Sequence, residues 1–213
     1  MCLKTEQRKP QIATEDIICY KIINKDMTSL FHSEFKWELG KLYKTKMEWD
    51  FNTIGQAFHS FASLEGLKKA YYVTTQPCIM VKCTIPKTSL FYSGEHDYIE
   101  GYASNRLIIN EVIDTKELYP DFDWDNYPYK EGQMIRCKMS HNKNWHDIIY
   151  SGEQVKSHDD IWEDCQIMNI QPHPTDNTRI DLIVKDCSDL NYEYIIKTIF
   201  NGEFWESKNC FLC

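Results

Sequence analysis

The sequence predicts an α+β fold: an N-terminal mixed curved sheet with one or two helices, then a small C-terminal β-rich barrel or sandwich. Three observations carry this. Apolar, β-branched runs of strand length recur through the first half. One stretch, "SLEGLKKAYY", combines a helix-start signal with helical periodicity. The second half is mostly a succession of strand-like runs.

The elements follow in order. "EDIICYKIIN" (Glu15 to Asn24) is apolar and β-branched and predicts a buried strand. In "FKWELGKLYKT", Phe35, Trp37 and Leu39 alternate with charges before Gly40. That predicts a short strand, a bend and a second strand from Leu42 to Thr45. In "AFHSFAS", strand periodicity sends Phe58, Ser60 and Ala62 one way and His59, Phe61 and Ser63 the other. Ser63 is a good N-cap, and Glu65 sits in the first turn, where the helix dipole favours an anion. A helix is expected from about Leu64 to Tyr72, with Leu64, Leu67 and Tyr71 on its buried face and Glu65 four before Lys69. "CIMVKCTIP" (Cys78 to Pro86) and "SNRLIINEVID" (Ser104 to Asp114) predict two more buried strands.

Between those two strands lies "KTSLFYSGEHDYIEGYA". It reads as a long polar, aromatic loop, a place where function concentrates. "DTKELYPDFDWDNYPYKEGQ" is rich in acids, aromatics and proline and reads as a connector. The expected organisation is therefore an α+β domain over residues 14–115, a connector over 116–133 and a β-rich domain over 134–213. In that last part "NG" at Asn201–Gly202 is a hairpin signal.

The chain of 213 residues is long enough for a buried core, and 42% hydrophobic with 26% charged is globular rather than disordered. A net charge of −8 and no Lys/Arg cluster argue against nucleic-acid binding. The opening "MCLKTEQRKPQIATEDI" lacks the apolar core of a signal peptide, and no run reaches membrane-span length. The expected place is the cytoplasm of a bacterial or phage-infected cell, where the nine cysteines stay reduced. Cys78 and Cys83 fall on opposite faces of one strand, and the lone C-x-x-C, Cys210–Cys213, has no second pair, so no zinc motif emerges.

The order "ICYKII", "FKWELGKLYKT", "GQAFHSFASLEGLKKAYY", "CIMVKCTIPKTSLFY", "GYASNRLIINEVI" resembles an uncharacterised domain of bacteriophage and bacterial proteins, sometimes found beside pentapeptide repeats. Tyr20–Lys21, Gly40, Phe58–His59 and Ala103–Ser104 occupy its motif positions, and Ala57 stands where that family usually has glycine. The resemblance covers about residues 15–114. More distantly, the same order is similar to the ADP-ribosyltransferase fold. That likeness implies an NAD-contacting position at Tyr20–Lys21, a serine strand at "HSFAS", and a late catalytic carboxylate among Glu95, Glu100 and Glu111. None of the three forms the expected Glu-x-Glu.

The residues themselves offer five candidate sites. His59, Ser60 and Ser63, with Tyr20, can line a nucleotide pocket, although neighbours on a strand point apart and the plainer reading is a strand-to-helix junction. "GEHDYIE" gathers Glu95, His96, Asp97 and Glu100, suited to acid–base work or a divalent metal, with a solvated acidic loop as the plainer reading. "PDFDWDN" opens like a calcium loop but lacks its glycine and closing glutamate. His141, His146, Asp147, His158, Asp159 and Asp160 have metal-ligating side chains without a ligand spacing, beside Trp145 and Trp162, which can anchor loops or stack on a base or sugar. "CFLC" has the letters of a prenylation box without a polybasic run before it.

The leading expectation is an accessory protein that acts by binding a nucleotide-like ligand or a host protein, without a resident cofactor or metal. Its pocket is placed where "AFHSF" meets "YSGEHDYIEGYAS". One alternative is an NAD-using ADP-ribosyltransferase-like enzyme, which requires His59 or Ser60 in one cleft with a carboxylate. Another is a virion structural or assembly protein docking through the acidic connector.

Overall fold

The computed structural model describes residues 2–32, 34–50, 53–72, 77–120, 122, 124–125, 130–139, 161–172, 179–186, 194–200 and 203–206. Its first sheet gathers β1 (Leu3–Lys4), β2 (Gln11–Ile12), β3 (Ile17–Asn24), β4 (Leu42–Lys44), β5 (Glu48–Asp50), β6 (Thr53–Gln56), β7 (Phe58–Phe61), β8 (Cys78–Ile85), β9 (Leu90–His96), β10 (Ile99–Ser104) and β11 (Arg106–Ile113). The order is β4-β11-β8-β3-β7-β10-β9-β1-β6-β5, with β2 also on β9. The sheet curls into an antiparallel half-barrel.

The expected mixed sheet is corrected: every pairing between these strands is antiparallel, and the one parallel contact is the isolated bridge Leu39–Ile109. The physical reason lies in the connections. Of the connections from β8 to β11, only the two-residue turn between β9 and β10 joins sheet neighbours, and so tight a turn makes them antiparallel. The helical crossover from β7 to β8 joins two strands that run the same way, but β3 is inserted between them and pairs with both. The sheet also begins before residue 14, since Leu3 on β1 is fully buried against Ile54.

Strand periodicity sorts the two faces. Cys19, Ile23, Val81, Cys83, Ile85, Leu107 and Ile109 face one cluster. The excursion between β3 and β4 folds over it, setting Phe35, Trp37, Tyr43 and Phe58 edge to face or tilted with centroids 4.7–6.5 Å apart. The first limb of "FKWELGKLYKT" therefore makes bridges rather than the expected strand. Ile22, Phe61, Cys78 and Met80 face the opposite cluster, so Cys78 and Cys83 do lie on opposite faces.

That second face is covered by α1 (Leu64–Tyr72), whose Ser63 hydroxyl accepts the Gly66 N–H at 3.1 Å. Leu67, Ala70 and Tyr71 are buried, whereas Leu64 is 40% exposed because it lies in the first turn, beyond the sheet's cover. Glu65 reaches Lys68 at 3.5 Å rather than the expected Lys69. A second helix, α2 (Thr115–Leu118), is capped by Asp114 and buries Leu118 and Tyr119 under α1, so the start of the connector is part of the core.

The second sheet is β12 (Met134–Met139), β13 (Ile161–Pro172), β14 (Arg179–Asp186), β15 (Tyr194–Phe200) and β16 (Glu203–Glu206), paired in chain order. Among the described strands it is an open antiparallel meander. Among the described residues no pairing closes it into a barrel and no second sheet covers it. It meets the first part at α1, where Gln171 Nε2 donates to the Tyr71 carbonyl at 3.0 Å, and at Lys25, whose Nζ lies 2.6 Å from both Glu131 Oε2 and the Met168 carbonyl.

Candidate functional site

The segment expected to be a long functional loop is a tight hairpin. β9 and β10 pair from Ile99–His96 to Ser104–Phe91, leaving only Asp97 and Tyr98 as the turn. Both have positive φ, 48° and 69°, the backbone of a two-residue hairpin turn. The hairpin lies directly beside "FHSF": β10 pairs with β7 on its other side. The two segments expected to meet are therefore neighbours in one sheet.

They form a closed seam. His59 and Ser60 part to opposite faces, as the alternation requires. His59 turns toward His96, with ring centroids 5.2 Å apart, and Ser60 lies against Cys19. His96 is 1% exposed and packs edge to face on Phe61 as well, at 5.8 Å. Its ring occupies the space above Gly101, where an added Cβ would come within 2.6 Å of His96 Cδ2. His59 Nε2 faces the Gly55 carbonyl at 3.0 Å and so carries the proton it donates; its buried Nδ1 has no partner, nor has either His96 nitrogen. Burial outweighs the nearby backbone carbonyls and pushes both imidazoles down to about 4. Both rings are neutral near pH 7.

The other expected residues scatter. Tyr20 packs on the helix face, and Ser63 is the cap of α1. Glu95 and Glu100 are exposed and opposite each other on β9 and β10. Glu111 is exposed and paired with Lys82 at 3.0 Å. None of these three carboxylates is brought to His59 or Ser60 as a catalytic cleft would need. Among the described residues no group of three His, Cys, Asp or Glu side chains can hold a metal ion. Asp121, Asp123, His141, Trp145, His146, Asp147, His158, Asp159, Asp160, Cys210 and Cys213 lie outside the described residues, as does the side chain of Trp162.

The open concavity is next to the seam. It is a groove of about 990 Å³ between residues 4–8 and residues 92–95, with Trp49 at its mouth. Its origin is a register mismatch. β1 pairs Lys4 with Glu95, and β2 pairs Gln11 with Phe91, so residues 5–10 must span the length of residues 92–94. The excess bows away from the sheet edge, as bulges at sheet edges do. Side chains replace the lost ladder. The Thr5 hydroxyl donates to the Ser93 carbonyl at 2.7 Å. Gln7 brackets Ser93, accepting its N–H at 3.2 Å and donating to its Oγ at 2.8 Å. Gly94 is required here, because a Cβ would collide with the Lys4 carbonyl.

Two features give the groove binding chemistry. Trp49 is 39% exposed and leans on the buried Tyr92 ring at 5.5 Å, a braced aromatic surface. Arg8 is exposed and makes no ion pair among the described residues. Glu6, Glu95, Lys4 and Arg8 balance in charge along the walls. Sequence reasoning found the 92–95 wall inside "YSGEHDYIEGYAS" but missed residues 4–8 and Trp49. The legible signal was Trp49 standing between acids in an edge-like "EWD", an aromatic without an obvious core partner.

Comparison with protein-family models, with curated proteins and with solved structures finds no match to this chain. Among the described residues no helix is long and apolar enough to cross a membrane.

Proposed function

We propose that this protein acts by binding a nucleotide-like small molecule in the groove between residues 4–8 and 92–95. A planar base stacks on Trp49, which Tyr92 holds in place. The anionic end is taken by Arg8 and Lys4, and Glu6 and Glu95 accept hydrogen bonds from a ribose or an exocyclic amine. Ligand pockets run to roughly 300–1,000 Å³, and about 990 Å³ admits a dinucleotide as well as a mononucleotide. The observation that carries this reading is the braced, exposed Trp49 at the mouth of a groove that also presents an Arg8 without an ion pair. A phage or bacterial setting, and the likeness to an uncharacterised phage domain, belong to the same proposal.

The rival, an NAD-cleaving transferase, needs His59 or Ser60 in one cleft with Glu95, Glu100 or Glu111. Neither residue lines the groove, so NAD, if it binds, binds without that machinery.

Calorimetry with ATP, GTP and NAD tests the reading on wild type and on the Trp49→Ala, Arg8→Ala and His59→Ala variants. Binding that Trp49→Ala and Arg8→Ala lose and His59→Ala keeps supports it. Binding lost in His59→Ala alone moves the site to the seam, and no binding of any of the three ligands refutes a nucleotide site.

A further inference from the structure

Cys19 on β3 and Cys83 on β8 stand directly opposite each other in the antiparallel ladder. Cα atoms of such pairs lie about 4.5–5.5 Å apart, inside the span of about 4.4–6.8 Å that a disulfide bridges. Both thiols are fully buried and both face the same cluster, and Cys83 Sγ donates to the Val81 carbonyl at 3.9 Å. Cys78 cannot compete, since it faces the opposite cluster.

The surroundings are not those of an inert core cysteine. The Ser60 side chain lies beside Cys19 with no other partner for its hydroxyl, and the Lys21 ammonium stands near both sulfurs. These neighbours treat the two thiols differently. The Cys83 thiol, the Ser60 hydroxyl and Lys21 favour a thiolate on Cys19, whereas burial holds Cys83 protonated. A nucleophilic thiol facing a protonated one is the arrangement a stepwise oxidation uses.

We infer that Cys19 and Cys83 are a redox modification site that a small peroxide converts to a cross-strand disulfide. The Cys19 thiolate attacks one peroxide oxygen and becomes a sulfenic acid, releasing hydroxide. The Cys83 sulfur then attacks the Cys19 sulfur, expelling the sulfenic oxygen, which leaves as water with the proton Cys83 gives up. Two thiols lose two electrons and two protons, and one hydrogen peroxide becomes two waters. Size sets the oxidant: both sulfurs are fully buried, which favours hydrogen peroxide over bulky disulfides.

The test treats the folded wild-type protein with hydrogen peroxide, alkylates the remaining thiols in denaturant and maps the peptides by mass. The expected product is a peptide pair joined at Cys19–Cys83, two hydrogens lighter than the dithiol. It carries a thermal midpoint higher by roughly 5 °C or more that returns on reduction. In a Cys83→Ser variant Cys19 stops at the sulfenic acid and is trapped by dimedone. Recovery of Cys19 and Cys83 as free thiols while the exposed Cys2 is oxidised overturns the inference, as does a Cys19 disulfide to any other cysteine.

Discussion

The rings of His59 and His96 meet edge to face, 5.2 Å between centroids at 72°, across a strand that belongs to neither. β10 separates their strands, and it can be crossed because Gly101 has no side chain. The contact places two neutral imidazoles inside the sheet face that α1 covers, a few residues from the wall of the groove.

Gly101→Ala tests how tightly that seat is drawn. The new methyl would come within 2.5 Å of the Ser60 carbonyl and 2.6 Å of His96 Cδ2. The carbonyl belongs to the ladder and cannot retreat, so the strand must shift. Overpacking of this kind costs about 1–3 kcal/mol. Urea unfolding should show the loss as a lower midpoint with an unchanged slope.

The histidine pair also sets a pH dependence. Each imidazole titrates at about 4 in the folded chain, against about 6.5 when unfolded. Between those values the unfolded chain binds more protons, so stability is full above pH 6.5 and falls as pH drops toward 4. Protonating one such histidine inside the fold costs roughly 3 kcal/mol before relaxation. Urea midpoints at pH 7, 6, 5 and 4.5 should decline steadily. His96→Phe keeps an aromatic ring over Gly101 and should flatten part of that decline; an unchanged slope would place the acid sensitivity elsewhere.

Ser63→Ala should cost about 1 kcal/mol, the usual value of a side-chain cap. Its hydroxyl satisfies the Gly66 N–H, one of the donors a helix start leaves open. α1 lies between the sheet and β13, so the loss should appear in global unfolding rather than as local fraying. A urea titration against wild type measures it.

How far the sequence discloses this molecule depends on the range of the interaction involved. α1 was legible to its end residues because its cap, dipole charge and apolar spacing are all local. β3 and β8 were legible because both faces of a central strand are covered, which writes near-continuous apolar runs such as "IICYKII". The β9–β10 hairpin was not, because its turn places Tyr98, a residue with no preference for positive φ, where glycine or asparagine usually announces the turn. The groove was hidden for a different reason. It arises from a mismatch of length between residues 5–10 and residues 92–94, which no local pattern records. The same holds for the dithiol, whose register pairs residues 19 and 83.

Lys21 joins two strands that the backbone barely joins. β3 and β7 share a single register pair, Tyr20–Phe61, and Lys21 Nζ extends the seam by donating to the His59 carbonyl at 2.8 Å. Two effects oppose each other in Lys21→Met. Burial lowers the lysine's pKa, so removing the charge relieves desolvation. Against that, a hydrogen bond from a charged group contributes about 1.5–3 kcal/mol, and its loss strands a backbone acceptor. Lys21→Met also leaves the His59 carbonyl without its donor, a loss that methionine cannot make good, so the bond should win. Lys21→Met is expected to lower stability by about 1–2 kcal/mol and to speed amide exchange at Tyr20 and Phe61 more than at the well-paired β3–β8 ladder. Uniform acceleration across both ladders would mean that the lysine supports the core as a whole rather than this seam.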